Sequence, residues 1–227
     1  KVTVNIGGRT YNKGLFAIIE PYDDVFLKQR FDNRTMHLYE PCGHWTDVTR
    51  PGASKGGESC LNTVFEVKEG WKLLNAQDGP GVDFVGDIRD LSQFPAQSCS
   101  MIYGSHILEH INQQDMVDTL QGIRRLLKPG GELCISVPDL DTLCRLFLHP
   151  DLNYEGKFHV MRMMFGGQVD PWDFHYIGLN FDILCNYLSA AGFTQCKRVK
   201  EFGLFNDTSS FAPYGDPISL NVIAYID

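Results

Sequence analysis

Between Ser105 and His110 the chain reads Ser-His-Ile-Leu-Glu-His, which sets two histidines four positions apart with a glutamate beside the second. A histidine titrates near neutral pH and suits removal of a proton from a hydroxyl or an amine. A third histidine, His175, stands in a loop with Asp170, Trp172, Asp173 and Tyr176, groups able to hold a polar ligand. His175 is the first choice for a catalytic base and His106 the second. His110 lies one turn into an expected helix and ranks last. The order His106-Ile107-Leu108-Glu109-His110 also matches H-x-x-E-H, in which two histidines one helical turn apart bind zinc and the glutamate activates water. A zinc-dependent hydrolase is therefore an alternative, but no third ligand announces itself and no metal is expected. Cys42, His44 and Cys60 form the other metal-like grouping, at a spacing that fits no zinc pattern.

These residues need elements to position them. Met101–Tyr103 is a short apolar run closed by Gly104-Ser105, which reads as a strand. Asn112 can cap a helix whose apolar residues Met116, Leu120, Ile123 and Leu127 recur at helical spacing. Arg124, Arg125 and Lys128 suit its last turn, and Pro129-Gly130-Gly131 ends it. Leu133, Ile135 and Val137 then alternate as a strand ending at Pro138-Asp139. Strand, helix, strand is a βαβ unit, so a parallel sheet is predicted.

Around this unit lie further strands at Lys1–Gly8, Trp71–Asn75, Val82–Val85, Gln195–Val199 and Ile218–Ile226. Helices are expected through Leu143–Leu148, over Phe158–Phe165 with methionines as core filler, and from an Asn180 cap to Gly192. Residues 9–70 are the least readable, with short strands near Leu15–Glu20 and Met36–Glu40. We take 9–70 as an insertion or accessory segment of a single domain, packed beside the main sheet.

Composition narrows the partners. With 20 basic and 28 acidic residues the formal charge is -8 over 227 residues, which argues against a nucleic-acid partner and for a small or neutral substrate. No apolar run spans a bilayer, and no membrane partner is expected. Seven cysteines without a CxxC pair point to a reduced, cytoplasmic chain with mostly buried thiols. The chain lacks a starting Met and opens in strand-like sequence, as a domain of a longer multidomain chain would.

Gly86-Asp87-Ile88, Ser105-His106-Ile107-Leu108-Glu109-His110, Leu127-Lys128-Pro129-Gly130-Gly131 and Val137-Pro138-Asp139-Leu140, in that order, resemble the class I S-adenosylmethionine-dependent methyltransferases with an LEH…LKPGG signature. Ala190-Ala191-Gly192-Phe193 fits the last helix and strand of that family. The resemblance implies an α/β, Rossmann-like sheet of seven mostly parallel strands, the last antiparallel, with helices on both faces. It implies S-adenosylmethionine across the carboxyl ends of the early strands. Gly7 and Gly8 would face its amino-acid part, Asn75 and Gln77 the ribose, and Asp87 and Ile88 the adenine. Ser105 and His106 would stand where cofactor and acceptor meet. The glycine motif is shorter than the usual GxGxG, and the ribose-binding acid is missing, which keeps open a non-catalytic module of this fold. The function expected is O-methylation of a small molecule, a sugar or glycan hydroxyl above others because Trp172 and Tyr176 could stack on a sugar ring; N-methylation of an amine is the competitor.

Overall fold

The structure, a computed structural model, describes residues 71–76, 78, 82–169, 171–205 and 207–227, and the backbone of four short strands nearer the amino end. Gly7, Gly8, Gln77, Asp170 and the cysteine–histidine grouping at 42–60 lie outside the described residues.

The strands are β1 (Thr3–Val4), β2 (Leu15–Ile19), β3 (His37–Tyr39), β4 (Trp45–Asp47), β5 (Trp71–Asn75), β6 (Phe84–Val85), β7 (Cys99–Ser105), β8 (Leu127–Pro138), β9 (Gln195–Val199) and β10 (Ser219–Tyr225). The helices are α1 (Met116–Leu126), α2 (Leu140–Leu148), α3 (Tyr154–Phe165) and α4 (Phe181–Ala190). Along the main sheet the order is β6-β5-β2-β7-β8-β10-β9, with β1 paired to β2; β3 and β4 form a separate pair. β5 and β6 pair in parallel, as do β7 and β8, while β10 runs against both β8 and β9. The expected Rossmann-like sheet with an opposed last strand is therefore present. β2 also runs against its neighbours β5 and β7. It comes from the stretch expected to pack beside the sheet, yet it is a strand within it. β5 and β6 neighbour each other with no helix between them, Leu74 opposite Phe84.

Alternation explains how the sheet is buried on two sides. Leu74, Ile102, Leu133, Ile135, Val137, Leu220, Val222 and Ala224 point to one core, where α1 contributes Met116, Leu120, Ile123 and Leu126 and α4 contributes Leu184 and Leu188. Leu73, Tyr103 and Cys134 point to a second core closed by Leu204 with Phe202 and Phe205. α2 and α3 join through Leu143, Leu146 and Val160 against Ile218.

Several boundaries differ from the sequence reading. Asn112 caps a turn, its Oδ1 accepting from the N–H groups of Gln114 and Asp115, and α1 begins four residues later. Leu127 is already extended and opens β8. The Pro129-Gly130-Gly131 turn is an excursion inside β8: Cys99 pairs with Leu127, but Met101 pairs with Glu132. Gly130 there has φ +73°, and a Cβ on Gly131 would come within 2.8 Å of the Lys128 carbonyl oxygen. Arg124 and Arg125 reach beyond their own helix end, donating to the carbonyls of Gly192 and of Leu91 and Phe94. Asn180 caps α4 as expected, accepting from Ile183 N–H at 2.9 Å. Cys185 and Cys196 form a disulfide joining α4 to β9, and Cys144 is exposed, so the expectation of reduced and mostly buried thiols holds only for Cys99 and Cys134 among the described residues. None of the described helices is long and apolar enough to cross a membrane.

Candidate active site

The site lies beyond the carboxyl ends of β7 and β8, where open α/β sheets bind ligands. β7 ends at Ser105, and the next residue, His106, has φ +54°. Left-handed backbone is uncommon for a residue with a Cβ, although histidine is among those that tolerate it better. Two bonds hold it there. His106 N–H donates to the Ser136 carbonyl at 2.8 Å, and its Nε2 lies 2.8 Å from Ser219 Oγ. The Ser219 hydroxyl donates its one hydrogen to the Thr208 carbonyl, so Nε2 of His106 is the donor of that pair.

The His106 ring turns its other nitrogen to Glu109. Nδ1 stands 3.3 Å from Glu109 Oε1, and both side chains are buried. Neither Glu109 oxygen has a hydrogen-bond partner among the described residues. Burial alone would raise the Glu109 pKa, but His106 beside it, with the charges of His110 and His175, outweighs this and holds it at about 2. Glu109 is therefore a carboxylate across the working range.

Residues Leu108–His110 form a single 3-10 turn, not a stretch of α-helix. The H-x-x-E-H pattern therefore lacks the helix that would align His106 and His110 on one face, and His106 spends Nε2 on Ser219. The third histidine arrives from the segment after α3. Gly166 turns that segment at φ +83°, in a conformation where a Cβ would overlap the Asp173 carbonyl oxygen. His175 N–H donates to the Phe165 carbonyl at 3.2 Å, and Tyr176 N–H donates to the Glu109 carbonyl at 2.7 Å. His110 Nδ1 donates to the Phe174 carbonyl at 3.0 Å. The His110 and His175 rings then meet edge to face, centroids 4.8 Å apart.

A cleft opens beside this cluster, walled by His106, His175, His159 and Arg162 over an apolar floor that includes Met163 and Phe211. Around His175 in the chain, Trp172, Phe174 and Tyr176 are exposed, the last two rings stacked at 6.4 Å.

Two of the three histidines expected at the site, His106 and His175, line the cleft; His110 stands behind His175. Of the residues expected around a cofactor, Asn75 is buried at the carboxyl end of β5 and Ser105 at that of β7. Asp87 follows β6, its carboxylate held by Arg89, whose Nη2 lies 2.6 Å from Oδ2. Burial pushes the Asp87 pKa up and the Arg89 bonds bring it below the ordinary range, so it too is ionised. Ile88 is fully buried in the core with Leu74 and Leu91, not facing an open cleft. His159 and Arg162 were not foreseen. Their spacing with Met163 places the three on one face of α3, a signal masked by the run of methionines around them.

Strands β5, β6 and β7 run in one direction and bring Asn75, Asp87 and Ser105 to one edge, and the final strand opposes its neighbours. This is an α/β, Rossmann-like arrangement. Residues 60–135, about a third of the chain, match the family model described as a methyltransferase domain, a stretch that runs from before β5 into β8. Among curated proteins none matches the sequence. Solved structures similar to this chain include 1,6-didemethyltoxoflavin-N1-methyltransferase of Burkholderia thailandensis with bound 1,6-didemethyltoxoflavin and S-adenosylhomocysteine, at 16% identity and TM-score 0.43 over 69% of this chain and 61% of that one. Human N-acetylserotonin methyltransferase aligns at 18% identity and TM-score 0.39, over 64% of this chain and 34% of its own. The CurJ carbon methyltransferase aligns at 18% identity and TM-score 0.40, over 67% of this chain and 35% of its own. The chain thus spans from about a third to about three fifths of the length of these structures.

Proposed function

We propose that this chain transfers the methyl group of S-adenosylmethionine to a small molecule, with a hydroxyl of a sugar or glycan as the acceptor. The observation that carries this reading is the position of His175, on the wall of the cleft at the carboxyl ends of β7 and β8, with exposed aromatic residues on either side of it in the chain.

The polar groups at the strand ends fit the cofactor. Asp87, kept ionised by Arg89, can accept from the exocyclic amine of adenine, and Asn75 offers a neutral partner for ribose hydroxyls. Ser105 closes β7 beside the cleft, and Gly7, Gly8 and Gln77 would complete the cradle by their place in the sequence. When bound, the cofactor supplies an electrophilic methyl on a sulfonium. The chain's own groups do the rest. Trp172 and Tyr176 present flat faces to a sugar ring. His175 takes the proton that the hydroxyl loses, and the Glu109 carboxylate favours the imidazolium so formed. His106, fixed by Ser136 and Ser219, holds Glu109 in place.

Nucleotide sugars, free glycosides and small amines incubated with methyl-labelled cofactor test the reading. Label should appear on a saccharide, and His175→Ala should reduce its rate by about 100-fold or more while S-adenosylhomocysteine still binds. Transfer to an amine and to no saccharide overturns the sugar assignment.

A further inference from the structure

The cluster behind the cleft does more than hold a base. One ligand atom from each of Glu109, His110 and His175 lies within 4.8 Å of the other two. We propose that these three residues bind a divalent transition-metal ion, a site of two imidazole nitrogens and one carboxylate oxygen at the wall of the cleft.

Four observations support it. Glu109 is 2% exposed, with neither oxygen hydrogen-bonded among the described residues, and one of its oxygens lies within 4.8 Å of a ring nitrogen of each histidine. Leaving a carboxylate oxygen without a donor in such a place is costly unless a cation meets it. The His110 tautomer is set: a carbonyl can only accept, so Nδ1 carries the hydrogen bonded to Phe174, and in the neutral ring Nε2 keeps the lone pair a metal needs. Anchoring one ring nitrogen on a backbone carbonyl is the usual way a ligating histidine is oriented. His106 Nδ1 stands 3.3 Å from Oε1, and Oε2 has no hydrogen-bond partner among the described residues. Finally, three protein ligands leave coordination positions open, as sites that act on a substrate do, and His175 among them lines the cleft.

The donor set, two nitrogens and one oxygen, selects zinc and its first-row neighbours over calcium or magnesium. Binding would draw the three ligand atoms closer than their present separations. The inference rests on the proposed reaction only for the place of the acceptor. With a cation in place the His175 lone pair is committed to it, and an acceptor hydroxyl would meet the metal where it otherwise meets the imidazole.

The test uses the full chain after treatment with a chelator. Titration with zinc chloride in a calorimeter should show one site per chain, and cobalt(II) in the same site should give visible absorption bands with imidazole ligation. His175→Ala and Glu109→Gln should each weaken zinc binding by about 100-fold, whereas His149→Ala, an exposed histidine beside Asp151, should leave it unchanged. Circular dichroism checks that the variants are folded; His175 sits on a loop, so its variant serves if Glu109→Gln does not fold. No zinc uptake, or uptake that His175→Ala leaves unaltered, overturns the site. S-adenosylhomocysteine binding and label transfer are measured on the same samples. If both persist in chelator without zinc uptake, the metal site alone is wrong. If zinc binds but the nucleoside does not, the methyl-transfer reading alone is wrong.

Discussion

Glu109 is the residue on which the site's chemistry turns. Its carboxyl sits at about 2, below the ordinary 4.5, because neighbouring imidazoles outweigh its burial. A folded-state pKa depressed in this way contributes stability that is present above the unfolded value and is lost as pH falls through the folded one. Urea unfolding of the wild type and of Glu109→Gln should therefore diverge with pH. The wild type should lose on the order of 3 kcal/mol relative to the variant between about pH 5 and pH 2, and a constant difference across that window would show that the carboxylate is not held as described. At this scale the sequence was legible by type and not by pairing. Histidines 106, 110 and 175 stood out as reactive groups, and two of them line the cleft. That Glu109 would face His175, 66 positions away, depends on how the segment after α3 folds back, which no local pattern encodes.

The element that completes the site is the segment from Gly166 to Tyr176. It reads as loop in the sequence, and its described residues are loop, held by backbone bonds to Phe165 and Glu109 and by the close approach of Gly166 to Asp173. Gly166→Ala would force a Cβ into the Asp173 carbonyl. The expected outcome is a shift of His175 and a fall in methyl transfer of about 100-fold, with far-ultraviolet circular dichroism unchanged because the sheet and helices do not depend on that turn. Retained activity would show that the turn does not position His175. The strands and helices from Trp71 onward were mostly legible, since alternation and 3.6-residue spacing are local signals. α2 and β9 fall where the pattern put them, and α4 begins at its Asn180 cap. The misreadings arose where two rules compete. Asn112 is as good in a turn as at a helix start, and a Gly-Gly pair after a helix can be an excursion within a strand as readily as a connector.

For the molecule as a whole, the question is whether the strand-end cradle takes the nucleoside despite its short glycine motif. A ligand that binds only the native state at about 100 times its Kd adds about 2.7 kcal/mol, which for a chain of this size raises Tm by roughly 5–10 °C. S-adenosylhomocysteine should produce such a shift in the metal-free protein and in His175→Ala alike, and a flat response in both would favour a non-catalytic module. The global topology was readable because the βαβ unit around α1 dictates a parallel pair and hence the sheet direction. The opposed strand β2 was not. Its short apolar run carries no information about which neighbours it will choose.

The backbone at His106 has a further consequence. A glycine there would sit comfortably at φ +54°, and it would also delete the imidazole that steadies the carboxylate. The contacts of the imidazole with Ser219 and Glu109 outweigh the relief of roughly 1–2 kcal/mol that a glycine brings at such a backbone, so stability and chemistry both favour histidine here. Laboratory evolution of the protein for robustness should keep position 106 fixed.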